Sequence, residues 1–193
     1  MRVSNLSATA LAGALALAGC GSGDAGGSNG GAAEGAGSAA EAGMPAAWQA
    51  TDACSILDKA AVAEILKTPV PQATLALVHE PGSADAGTSE CTYLGEDGAS
   101  VATLMTRWSP IADNTAEAIA GAKSTMNATL KGFNKGPVED VPGLGKAAFI
   151  APGLNQMSVY LDDSRMIIVT PGKVPDGADG KDIAVQMARK AGA

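Results

Sequence analysis

The stretch AAFIAPGLNQMSVYLDDSRMIIVT, residues 147–170, decides the fold class. It holds three short runs, 147–151, 156–161 and 166–170, separated by Pro152-Gly153 and by Asp162-Asp163-Ser164, both turn-forming combinations. In the middle run Met157, Val159 and Leu161 alternate with Gln156, Ser158 and Tyr160, the period of two expected of a strand. Strands this close in sequence join as hairpins, and hairpins pair antiparallel. Upstream, 88–94 and 100–108 read as two more strands, joined through Glu96-Asp97-Gly98, where Asp-Gly is a hairpin signal.

Helices flank these strands. Asp58 is the expected N-cap of the first, with Leu57 stapled against Val62, a buried stripe of Val62, Ile65 and Leu66, and Pro69 and Pro71 beyond its end. Between Pro71 and Thr88 the chain reads as a loop rich in Gly, Pro and Ala. A second helix is bounded by Asn114, with Glu117 three residues on, and by Lys131-Gly132, and turns Ile119, Ala122, Met126 and Leu130 inward. The last begins near Asp179, buries Ile183 and Met187, and ends with Arg189 and Lys190, whose charge suits the helix dipole. The order predicts an α+β fold with helices packed on one face of an antiparallel sheet. Two halves, each a helix followed by strands, suggest a degenerate repeat.

Composition narrows the function. With 13 Lys and Arg against 20 Asp and Glu, the 193-residue chain carries a net charge of −7, which opposes binding to phosphate backbones. Nucleic acid is excluded as a partner. Aromatics make up 3% of the chain and there is one His, so neither a stacking platform nor a site needing two imidazoles is expected. The reading calls for no cofactor and no metal.

The N-terminus has the layout of a secretory signal: Arg2 in a polar start, then an apolar run at 8–18, too short for the ~20 residues of a spanning helix. It ends in Leu17-Ala18-Gly19-Cys20, and here the sequence resembles bacterial lipoprotein signals. The resemblance implies cleavage after residue 19 and a lipidated Cys20 held in a membrane by two or three acyl chains, enough for stable anchoring. Gly21, by analogy with the enteric sorting rule, implies the periplasmic side of the outer membrane in a cell with two membranes. In a cell with one, the outer face of the plasma membrane is implied.

Three segments follow: the signal at 1–19, the lipidated Cys and a flexible tether at 20–47, and a globular domain at 48–193. Residues 21–45 are almost all Gly, Ala and Ser, with Asp24, Glu34 and Glu41 the only charges, a composition that cannot bury enough apolar surface to fold. Such a tether spans about 25–30 Å as a random coil.

Cys54 and Cys91 are the remaining thiols. Beyond a secretory signal, in an oxidising compartment, they are expected to form a disulfide. Neither lies in a Cys-x-x-Cys motif that would favour redox chemistry. The pattern Cys54-Ser55-Ile56-Leu57, then Cys91-Thr92-Tyr93, then Gly143-Leu144-Gly145-Lys146-Ala147-Ala148 resembles an uncharacterised family of envelope lipoproteins common in actinobacteria. That likeness, over roughly 54–190, implies a disulfide-stapled α+β domain on a lipid anchor and brings no catalytic residues.

No catalytic constellation stands out. Gly143-Leu144-Gly145-Lys146 lacks the Gly and the hydroxyl of a phosphate loop at Asp140 and Ala147 and reads as a tight turn. His79 stands beside Glu80 in a loop, and its nearness in sequence to Ser83 and Ser89 is weak ground for a general-base role. Asp162-Asp163 and Glu139-Asp140 are carboxylate pairs whose neighbours on a strand would point to opposite faces. Trp48 and Trp108 are candidates for a partner surface, with core packing the alternative fate. The leading expectation is a lipid-anchored cell-envelope lipoprotein with a non-enzymatic domain that binds an envelope protein or small ligand. The alternatives are an envelope hydrolase or its accessory subunit with a carboxylate- or Ser-based site, and a structural lipoprotein. Metabolic labelling with palmitate checks the anchor: label enters the wild-type chain and is absent from Cys20→Ser, whereas label retained by the variant contradicts it.

Overall fold

The computed structural model describes residues 48–193; the signal, Cys20 and the tether to residue 47 lie outside the described residues. The chain opens with α1 (Ala53–Ile56), where the Asp52 carboxylate accepts the Ser55 N–H, and α2 (Lys59–Leu66), where Asp58 caps the Ala61 N–H at 2.9 Å. Lys67 ends α2 in the left-handed region, φ 50°, and Pro69 and Pro71 prevent its resumption. A three-stranded meander follows: β1 (Gln72–His79), β2 (Gly87–Leu94) and β3 (Ser100–Trp108). Helix α3 (Ala116–Gly132) then leads through the two-residue β4 (Glu139–Asp140) to a second meander, β5 (Ala147–Ala151), β6 (Gln156–Tyr160) and β7 (Arg165–Pro171). Helix α4 (Gly180–Lys190), capped by Asp179, closes the domain.

The seven strands form one antiparallel sheet in the order β1-β2-β3-β7-β6-β5-β4. The last strands of the two meanders, β3 and β7, therefore meet at its centre, in register from Ala102↔Pro171 to Trp108↔Arg165. The strand order of the two meanders mirrors about this seam. The helices break the mirror.

Register shows how. Cys91, Leu104, Val169, Met157 and Ile150 are aligned across β2, β3, β7, β6 and β5, so they share one face, and all are buried in the larger core. Over that face lie α1, α2 and α4, the last with Ile183, Ala184, Met187 and Ala188 buried. On the opposite face Phe149 and Tyr160 form a second cluster with Ile119 of α3, flanked by Ala122, Met126 and Met166. The expectation of helices on one face thus holds for α1, α2 and α4 and is corrected for α3. The sequence shows each helix's apolar stripe but not which side of the sheet the stripe meets.

Three further expectations change. Residues 72–79, read as loop, form edge strand β1, whose run of exposed positions lacks the alternation of a half-buried strand. The short α1 precedes the first expected helix, and Thr115, not Asn114, caps α3 by accepting the Ala118 N–H at 3.2 Å.

The N-terminal segment is fastened to the sheet by polar bonds as well as by burial. The hydroxyls of Ser89 and Thr106, both fully buried, donate to the Ala50 carbonyl at 2.6 and 2.7 Å, and Ser89 Oγ accepts the Ala53 N–H at 2.8 Å. The buried Tyr93 phenol donates to the Leu57 carbonyl. One residue into α1, a disulfide joins Cys54 to the fully buried Cys91, closing a loop of sequence separation 37. For a loop of that size the chain-entropy model gives about 4 kcal/mol. Reduction, or a Cys54→Ala/Cys91→Ala variant, is expected to lower Tm by on the order of 10–15 °C in thermal melts followed by circular dichroism. An unchanged Tm contradicts a stabilising role.

Candidate functional site

On the face that carries α3, that helix packs on β5, and its apolar cluster reaches β6 and the start of β7. Among the described residues no helix covers the other half of this face, which β1, β2, β3 and β7 build. Its rows follow from register. Thr74, Thr92, Thr103 and Thr170 stand opposite one another across the four strands. Ala76, Glu90, Met105 and Ile168 form the next row, and Thr88, Arg107 and Met166 the third. Thr74 is exposed, and the other side chains named are half-buried. The surface is therefore a hydroxyl row beside an apolar row, with one carboxylate in the middle and one guanidinium at the end. Its signal in the sequence was the alternation in β2 and β3, where Thr92 and Thr103 sit between core residues.

A polar junction closes this face at the Arg107 end. Arg107 donates from both terminal guanidinium nitrogens to the two carboxylate oxygens of Asp113, at 2.9 and 2.5 Å. Asn114 is buried, and its amide nitrogen donates to the carbonyls of Asp162 and Arg165 at 2.9 and 3.0 Å, tying the β3–α3 loop to the β6–β7 turn. Lys146 reaches in from the turn before β5, donating to the Asn114 carbonyl at 2.7 Å and pairing with Asp163. Asp162 accepts the backbone N–H groups of Ser164 and Arg165 and the Arg165 Nε at 2.7 Å. Each of the three cations is matched by a carboxylate, so the junction holds loops in place and presents little net charge.

These contacts set the acidities. The Arg107 hydrogen bond, opposed by burial and helped by Ser109 and the Arg107 charge, holds the Asp113 carboxyl below its ordinary value. Burial raises the Asp162 carboxyl, but the hydrogen bonds from Arg165 and Ser164 and the Arg165 charge outweigh it and the net shift is downward. Burial raises the Tyr160 phenol against the pull of Arg107.

The residues singled out in the sequence do not converge. Trp48 and Trp108 are 6% and 7% exposed and belong to the larger core, with the Arg165 guanidinium 5.7 Å from the Trp48 ring centre. Of the two fates open to these rings, a partner surface and core packing, both take core packing. Cys54 and Cys91 form the disulfide already described, and Cys20 lies outside the described residues. His79 stands exposed at the end of β1 opposite Thr88, while Ser89 is buried with its hydroxyl committed to Ala50 and Ala53. Asp162 and Asp163 make the β6–β7 turn. Glu139 and Asp140 point to opposite faces of β4 and pair with Lys181 and Lys123 respectively. In the Gly143–Lys146 turn, Gly145 has φ 52° and its α-carbon faces the Tyr160 carbonyl so closely that a Cβ would lie 2.5 Å from the oxygen. Glycine is needed there for chain packing.

An open depression of about 440 Å³ lies at the β2–β3 hairpin, lined by Thr68, Glu96, Asp97, Ser100 and Lys173 among others. Asp97 there accepts the Ala99 N–H at 3.0 Å, a turn contact. Among the described residues no group of three or more His, Cys, Asp or Glu could hold a metal ion, and no helix is long and apolar enough to cross a membrane. Compared with family models, with curated proteins and with solved structures, the chain matches none.

The lowered Asp113 and Asp162 carboxyls link the junction to pH. A carboxyl more acidic in the folded than in the unfolded state contributes stability that is present above the unfolded value near 3.9 and is lost as pH falls through the folded value. Asp113→Asn is therefore expected to lower Tm at pH 7, with the gap to wild type closing below about pH 4. A gap constant across pH in the same thermal melts contradicts the linkage.

Proposed function

We propose that this chain is a lipid-anchored lipoprotein of the cell envelope whose folded domain binds a protein or ligand through the uncovered half of its sheet, without catalysing a reaction. The observation that carries the binding reading is the division of that face. Where α3 lies on it, apolar side chains are buried; over β1, β2, β3 and β7 a Thr row and an apolar row are left beside each other. A mostly uncharged surface of hydroxyls, Met105 and Ile168 suits an uncharged polar ligand or an apolar protein patch rimmed by polar groups, the composition typical of protein contacts.

The Leu17-Ala18-Gly19-Cys20 signal and the low-complexity segment after it support the anchor. On this reading the domain hangs on a leash near a membrane surface, where a binding domain meets membrane-bound partners at raised effective concentration. The short motifs that resemble those of actinobacterial envelope lipoproteins support the same reading.

The test is photocrosslinking in native membranes from a probe installed at Thr103, compared with the same probe in a Met105→Arg background. The expected result is a discrete adduct that the Arg variant loses while its Tm stays within about 2 °C of the parent, as for a surface substitution. No adduct, or one that Met105→Arg leaves unchanged, overturns the assignment of this face.

A further inference from the structure

The two edges of the sheet are built differently. One is β4, two residues long, both acidic and both ion-paired. The other is β1, eight residues with the sequence QATLALVH and no Asp, Glu, Lys or Arg. Edges of monomeric sheets are ordinarily protected by short length, charge, proline or a β-bulge, and β4 has the first two. Strand β1 is long and has neither charge nor proline within its span, Pro69 and Pro71 preceding it, and its one irregularity falls at its far end, leaving residues 72–76 in regular pairing.

Its side chains add a second, independent observation. Leu75, Leu77 and Val78 are three of the six large apolar side chains that the described domain leaves exposed, at 41, 72 and 48%. Leu77 also sits at φ 51°, inside the irregularity that shifts the register between Ala76 and His79. That conformation suits glycine and strains a leucine. A leucine that is strained and mostly in water contributes nothing to the isolated domain, and both costs are offset if a neighbouring chain covers it.

We infer that two copies of this chain pair antiparallel through β1, making a continuous fourteen-stranded sheet about a two-fold axis. A second copy is the occupant because the strand suits itself. Although the whole chain carries a net charge of −7, β1 facing β1 sets no like charges opposite each other and covers the exposed apolar side chains of both copies. The blocked β4 edge means the pairing stops at two instead of growing into a filament. A two-fold perpendicular to the sheet preserves its faces, so the two uncovered halves abut and form one surface twice as wide.

Sedimentation velocity over a concentration series tests this with the full chain carrying Cys20→Ser, so that no acyl chain contributes. The expected result is a monomer–dimer equilibrium that Leu77→Lys and Val78→Lys each weaken at least about tenfold, and that Phe133→Lys, a change at an exposed residue after α3, leaves unchanged. Leu77→Gly relieves the strained backbone but removes the contact, so it too weakens the dimer. A chain that stays monomeric up to about 1 mM overturns the inference. So does self-association that survives both β1 lysine variants, or that Phe133→Lys abolishes.

Discussion

The pairing of β3 with β7 is the constraint on which the rest of the structure depends. Separately, β1–β3 and β5–β7 are three-stranded meanders, each close to the minimum for an independently stable sheet. Joined from Ala102↔Pro171 to Trp108↔Arg165, they align Leu104 with Val169 and Thr106 with Ile167. That alignment makes one continuous apolar face on which α1, α2 and α4 rest. A slip of β7 by one residue against β3 would turn Val169 outward and bring Ile168 to the core. The loops at the seam's end reinforce the register: Asn114 binds both sides of the β6–β7 turn, and Arg107 is clamped by Asp113.

The same seam explains the exposed face. The meanders are alike in strand order, but the helices before the first sit on the larger core face, where the Cys54–Cys91 disulfide and the Ser89 and Thr106 hydroxyls hold them. Helix α3 before the second lies on the other side. The first meander therefore has one face with no helix over it, bounded by the polar junction at one end and by the long, uncharged edge β1. Binding at this face and pairing through β1 are compatible, since strand addition uses backbone groups in the plane of the sheet and leaves its faces free.

Much of the fold was legible because its signals are local. Asp58 and Asp179 at helix starts, Asp97-Gly98 in a hairpin and the alternation of Met157 and Val159 each act within a few residues. The seam and the side of the sheet that α3 takes were not legible, because their partners come together only through topology; in the junction Arg107–Asp113 and Arg165–Asp162 are near in sequence, but Lys146–Asp163 and the Asn114 bonds to Asp162 and Arg165, which unite the loops, are not. Strand β1 escaped notice for a different reason: at an open edge its side chains alternate little in burial, so no period of two is imposed on the sequence. Trp48 and Trp108 were legible as large apolar groups, but only the fold decides whether such a ring meets a core or a partner. The candidate site was the least legible part, since a row such as Thr74, Thr92, Thr103 and Thr170 exists only across strands.

The most direct measurement is native-state hydrogen exchange resolved by residue. If β3–β7 pairing makes the two meanders one cooperative sheet, the amides of Leu104, Thr106, Ile167 and Val169 are the slowest to exchange and share a single opening free energy equal to that of global unfolding. Two separate opening energies, one for β1–β3 and one for β5–β7, with seam amides less protected than those inside either meander, would contradict the account.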